Sequence, residues 1–280
     1  MTAVVAAESR AAGAEGWGPD LKAGALSFTF DNLGEVAELE LGKWPDDAPV
    51  GSHYSATEVV PALLRRLGDV NVNVNVSFFI EGWNCDIYPD TIRAIADAGH
   101  DIGLHGWRHE IWKRLDEPGQ RAALSRSAAA MRALGIEPQG FRPPGGEGSA
   151  LLPALLRAEG LSYLSDVGEA AAVEDGIAHL PFSWRGVDGV FLEPGLGAAL
   201  GVSGAEDSGL DAMLASHKAA MERAKQDRSH VAFVFHPFLL GKDPARMDAL
   251  FELVDLACAD QDLWVASCGE IAGWLLAGRD

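Results

Sequence analysis

The chain has 280 residues, 48% of them hydrophobic and 22% charged, enough to bury a large core as an ordinary globular protein. Its 22 Lys and Arg against 41 Asp and Glu leave a net charge of −19, which repels nucleic acid and anionic membrane surfaces and favours a neutral or cationic partner. Cys85, Cys258 and Cys268 show no C-x-x-C spacing, which argues against a disulfide framework or a cysteine zinc site and fits a reducing compartment.

Residues 1–22 read as a loose N-terminal tail, and 23–280 as one domain. The tail has no basic start, and Glu8 interrupts its short apolar stretch, so no export signal is visible and a cytoplasmic location is expected. No apolar run approaches the ~18 residues of a membrane span. Residues 25–30 form a strand that delivers Asp31 at its end. An acidic loop with Gly34, Gly42, Pro45 and Pro49 follows, and Thr57 looks like the cap of a helix carrying Val59, Val60, Leu63 and Leu64.

Strict alternation of Val72, Val74, Val76, Phe78 and Ile80 predicts a second strand, ending at Glu81. A helix over 89–98 stops at Gly99, and a strand then runs to His105. The rhythm continues with a helix over 120–134, a strand to Phe141, a helix over 151–159, a strand over 177–184 and a helix over 210–226. Between the last two, residues 193–209 hold five glycines, the pattern of either an active-site lid or a surface insertion. A strand over 231–235, a helix over 244–257, a strand over 263–266 and a final helix with a Ser267/Glu270 capping box complete the chain. Strands alternating with helices predict an α/β fold with a parallel sheet, preferably a TIM-like barrel; a doubly wound open sheet is the alternative, but no Gly-rich phosphate loop follows the first strand.

Three separated stretches carry chemistry: Asp31-Asn32 at a strand end, His105 and His109 four residues apart, and His236 between Phe235 and Pro237. His105 and His109 share a face if the chain between them turns helically, and two imidazoles beside an oxygen ligand suit a divalent metal with a position left open for water. An acid and a further His supply the proton transfers that hydrolysis needs.

With these residues in place, the chain resembles the polysaccharide deacetylase family with the NodB-homology fold, over about residues 25–277. Phe28-Thr29-Phe30-Asp31-Asn32 looks like the family's T-F-D-D motif, His105 to His109 matches H-x-x-x-H, and Arg142-Pro143-Pro144-Gly145-Gly146 is similar to R-P-P-x-G. Trp184 to Asp188 loosely resembles the fourth motif, and His236 sits where the fifth has its histidine. The resemblance implies a distorted (β/α)7 barrel and metal-assisted removal of an N-acyl group. It places His105, His109 and Asn32 on a divalent metal, zinc first and cobalt or nickel as alternatives. Asp31 would take a proton from the attacking water, His236 would protonate the leaving amine, Arg142 would orient Asp31, and Asp188 would steer Arg142 or His236. Trp83, Asn84, Pro144, Gly145 and Trp184 would contact substrate, and Glu81 could accept a hydrogen bond from it.

Two positions depart from the family pattern. Asn32 stands where a carboxylate ligand is usual, and its amide oxygen is a weaker ligand; Asp31 itself or Glu35 could supply a carboxylate instead. Gly145 stands where an aromatic residue is usual, which removes one wall of a sugar groove. The expected function is hydrolysis of an N-acetyl or similar small acyl group from an N-acylated amino sugar or related metabolite. Allantoinase-like opening of a cyclic amide or ureide, and non-catalytic carbohydrate binding, are the alternatives. The expected partner is a small-molecule or oligosaccharide substrate, without nucleic acid or membrane, and self-association into a homo-oligomer is left open.

Overall fold

The computed structural model describes residues 16–69, 74–202 and 208–278; most of the predicted tail lies outside them. Nine strands are found among these residues: β1 (Gly24–Asp31), β2 (Ser77–Ile80), β3 (Asp101–Leu104), β4 (Gly140–Phe141), β5 (Tyr163–Leu164), β6 (Ala172–Glu174), β7 (Ile177–His179), β8 (His230–Phe235) and β9 (Leu263–Val265). They join one sheet in the order β6-β7-β5-β4-β3-β2-β1-β8, with β9 also on β1. All pairings are parallel except β6 with β7. Single parallel bridges, Val167 to Phe182 and Val187 to Val234, carry the open side round towards β8. The result is the expected distorted (β/α)7 barrel.

Every residue of β1 is buried, as a parallel strand covered on both faces requires. Alternation splits it: Leu26, Phe28 and Phe30 face the helical layer, while Ser27, Thr29 and Asp31 face inward. Phe30 packs on Phe78 at 5.0 Å between ring centroids and on Phe235 at 6.1 Å, so the aromatic layer clamps β1 between β2 and β8. A Phe at that depth is worth about 3–5 kcal/mol against truncation. The last helix, Cys268–Ala277, closes the opposite end, and its first backbone N–H groups bond Ser77 Oγ (2.8 Å) and Asp101 Oδ2 (3.0 Å). Its Ser267/Glu270 capping box is present as expected.

Three element expectations need correction. The strand expected from Val72 begins only at Ser77, because β9 occupies the lower edge of β1 at Gly24–Leu26 and leaves earlier residues no ladder partner; residues 70–73 lie outside the described residues. The helix expected to be capped by Thr57 starts earlier, as a π turn over Ser55–Val59 that runs into Val60–Asp69. The strand expected over 177–184 stops at His179, and Pro181, which has no N–H to give a ladder, follows. The β6-β7 hairpin was not expected, although Asp175 (φ 49°) and Gly176 (φ 77°) form the two-residue turn that an Asp-Gly pair favours.

Candidate active site

Five parallel strands deliver a polar residue each to the same end of the barrel. Asp31 ends β1, while Glu81, His105, Arg142 and His236 directly follow β2, β3, β4 and β8. The register explains their convergence: Ile80 pairs with Leu104 and Leu104 with Phe141, so Glu81, His105 and Arg142 fall in one row across the sheet. Phe30 pairs with Phe235, which sets Asp31 beside His236.

Arg142 is 1% exposed and reaches back to β1, donating from one guanidinium nitrogen to Asp31 Oδ1 (2.6 Å) and Thr29 Oγ1 (2.8 Å). Its other nitrogens bond Ser165 Oγ, and its face lies 4.0 Å from the Phe79 ring centroid. Asp31 Oδ2 has no hydrogen-bond partner among the described residues. The expected orienting contact of Arg142 on Asp31 is therefore present.

His105 is buried and its Nδ1 donates to the Arg142 carbonyl at 2.8 Å, which leaves Nε2 as a lone-pair donor. Its ring centroid lies 5.0 Å from that of His109. Burial pushes both imidazoles down to about 3, so both are neutral at physiological pH, the form that binds metal. The intervening chain is not the helical turn expected. Gly106 (φ 76°) and His109 (φ 66°) are left-handed, and Glu110 accepts from the Trp107 N–H at 2.9 Å to hold the turn.

Glu81 joins this pair: one carboxylate oxygen and one ring nitrogen each of His105 and His109 lie within 4.8 Å of one another. Glu81 is fully buried, and burial pushes its carboxyl up to about 8. Its Oε2 accepts from Asn84 Nδ2 (2.9 Å) and the Leu33 N–H (3.3 Å), while Oε1 has no partner. An orphaned buried carboxylate oxygen beside two neutral imidazoles fits a divalent cation. Asn32 (φ 64°) also holds a buried, unpartnered Oδ1. Glu35 does not serve as a spare ligand: its carboxylate is spent on the Gly51 N–H and the Tyr88 hydroxyl.

On the facing wall, Asp188 pairs with His236 and not with Arg142. Its Oδ1 accepts from His236 Nδ1 (2.6 Å) and its Oδ2 from the His236 N–H (2.8 Å). Burial lowers the imidazole, but the Asp188 charge and hydrogen bond outweigh it and leave the net shift upward. His217 and His53 are buried as well, at 0% and 3% exposure.

Asp31, Asn32, His105, His109, Arg142 and His236 form the polar floor of a cavity of about 260 Å³. Its apolar wall includes Pro143, Phe182, Trp184 and Val187, together with Leu196 and Leu200 from the glycine-rich segment. That segment therefore covers the site with the short helix Leu196–Ala199; residues 203–207 lie outside the described residues. Of the expected substrate contacts, Gly145 and Trp184 line the cavity. Pro144, Trp83 and Asn84 do not. The Asn84 amide is used on Leu33 O (2.7 Å) and Glu81, and Trp83 lies under Arg108. Sequence reasoning offered Glu81 only as a hydrogen-bond acceptor for substrate, and no local pattern places it beside His105 and His109.

The family model for polysaccharide deacetylases matches residues 42–164. Chitin deacetylase 1 of Saccharomyces cerevisiae is 32% identical over 151 residues, 52% of this chain and 46% of that protein. The chain thus spans less than half the length of the curated relatives it matches. Among solved structures, the allantoinase Puue superposes with a TM-score of 0.74 at 20% identity, covering 93% of each chain, a likeness of fold. A putative polysaccharide deacetylase from Mycobacterium smegmatis superposes with a TM-score of 0.81 at 30% identity, covering 97% of this chain and 96% of that one. End-to-end likeness at that identity, on a barrel whose strand ends carry Asp31, His105, His109, Arg142 and His236, makes this chain a member of the polysaccharide deacetylase family.

Proposed function

We propose that the chain is a metal-assisted amide hydrolase that removes an acetyl or similar small acyl group from an N-acylated amino sugar or related metabolite. One observation carries this reading: two neutral imidazoles share a cavity with a carboxylate held by Arg142 and an imidazole held by Asp188. His105 and His109 would hold a divalent cation, zinc before cobalt or nickel, since neutral imidazole suits these ions. When bound, the cation supplies an activated water and positive charge for the developing oxyanion. Asp31 receives the water's proton at Oδ2, the oxygen that Arg142 leaves free. His236 gives a proton from Nε2 to the departing nitrogen, because an amide nitrogen leaves poorly without one. Asp188 holds that ring by Nδ1 and stabilises its charge.

The cavity of about 260 Å³ falls below the usual ~300–1,000 Å³ of ligand pockets, and Leu196 and Leu200 cover it. This supports a substrate of about one sugar ring over a polymer strand. The same small apolar cavity favours, as a second reading, opening of a cyclic amide or ureide. Supplying the zinc-loaded protein with N-acetylglucosamine, its oligomers and a cyclic ureide separates these. Acetate released fastest from the monosaccharide supports the proposal. Ureide consumed without acetate moves the assignment to ring opening, and preference for long oligomers contradicts the small substrate. Binding of sugars with no turnover of any of them would leave a carbohydrate-binding protein.

A further inference from the structure

We propose that Glu81 is the carboxylate ligand of the metal centre, supplied by the end of β2 in place of the carboxylate that Asn32 lacks at the end of β1. The inference rests on the metal-assisted reading above and names its third protein ligand. Four observations converge on it. Glu81 Oε1 is buried and unpartnered, although its other oxygen has two donors, so the side chain is fixed with one acceptor pointing at nothing that donates. A Glu81 oxygen and one ring nitrogen each of His105 and His109 lie within 4.8 Å of one another, close enough for small side-chain shifts to bring all three onto one cation.

The backbone keeps the ligands in step. Gly82 N donates to Gly106 O (3.0 Å) and Trp83 N to Trp107 O (2.9 Å), so the loop carrying Glu81 is zipped to the loop between His105 and His109. A side chain at residue 82 would prevent this, since a Cβ there would meet Ser127 at 2.5 Å. Two of the three ligands also have outer support: the Arg142 carbonyl fixes the His105 tautomer, and Asn84 Nδ2 fixes Glu81 while its second hydrogen bond ties it to Leu33 O beside Asn32. Two imidazoles and one carboxyl oxygen form a ligand set for a divalent ion that an amide at residue 32 does not complete.

The test is metal affinity, read by competition with a chromophoric chelator using zinc alone, alongside circular dichroism for folding. Glu81→Gln keeps the shape and the Leu33 bond, and should weaken zinc about a hundredfold, since losing even an outer partner of a ligand costs about 10–100-fold. Glu81→Gln combined with Asn32→Asp returns the carboxylate to β1 and should recover most of the loss. Wild-type affinity in folded Glu81→Gln overturns the assignment, as does a double variant no better than the single one. If Glu81→Gln does not fold, Glu81→Asp, which keeps the charge but draws the oxygen back, must still lower affinity; unchanged affinity there also overturns it. His105→Ala/His109→Ala separates the layers: zinc lost in that variant but kept in Glu81→Gln sinks only the Glu81 ligand, whereas zinc kept in both, or absent from the wild type, sinks the metal centre with it.

Discussion

Replacing Asp31 by Asn should damage folding as well as turnover, because it strands a buried guanidinium. Arg142 is 1% exposed and Asp31 7%, with 2.6 Å between them, so neither charge has solvent to fall back on. Breaking a buried pair by removing one partner costs about 3–5 kcal/mol. Thr29 Oγ1 and Ser165 Oγ still accept from Arg142 and place the expected loss near the lower end, about 3 kcal/mol. At about 2–4 °C per kcal/mol for a chain of this size, the melting temperature should fall by roughly 6–12 °C. Calorimetry and urea titration read the change directly. Asp31→Asn/Arg142→Met removes both charges and keeps an apolar side chain against Phe79 and Phe182, so it should recover most of the stability while activity stays lost. A single variant melting within about 1 °C of wild type, or a double variant as unstable as the two single losses added, would refute the buried-pair argument.

Asp188→Asn removes the charge that holds His236 above its ordinary value and should move the alkaline limb of the kcat/KM profile to lower pH. The protonated acid stabilises the fold fully below pH 6.5, and this contribution fades as pH rises through the raised value, so the variant's stability deficit should shrink towards high pH. Loss of a charged hydrogen bond of about 1.5–3 kcal/mol translates into roughly a ten- to hundredfold lower kcat; an unshifted profile would remove Asp188 from this role. Leu196→Ala/Leu200→Ala opens the apolar wall and should raise the rate on N-acetylglucosamine oligomers relative to the monosaccharide, and an unchanged ratio would show that these side chains do not set substrate size.

The barrel was legible because its strands announce themselves by buried apolar runs and its helices by glycine stops, and each strand end then named its polar residue. Arg142 against Asp31 and His236 against Asp188 were within reach of motif spacing. The approach of Glu81 to His105 and His109 was not, because it depends on the parallel register of Ile80 with Leu104, a long-range fact that no local pattern encodes. The shape of the His105–His109 turn was hidden for a related reason. Four-residue spacing suggests a helix, but left-handed Gly106 and the Glu110 bond to the Trp107 N–H set a different path that still brings the rings together. Asn84 was expected to hydrogen-bond substrate; here burial directs both its donors to the protein.

The decisive experiment is acetate release from N-acetylglucosamine by zinc-loaded protein, beside the same protein after chelation and beside His105→Ala/His109→Ala. Metal-assisted hydrolysis predicts acetate and free amine in equal amounts from the loaded protein, none after chelation, recovery when zinc is returned, and none from the double variant under any condition. Acetate released at the loaded rate by chelated protein or by the double variant would contradict a reaction built on those two imidazoles.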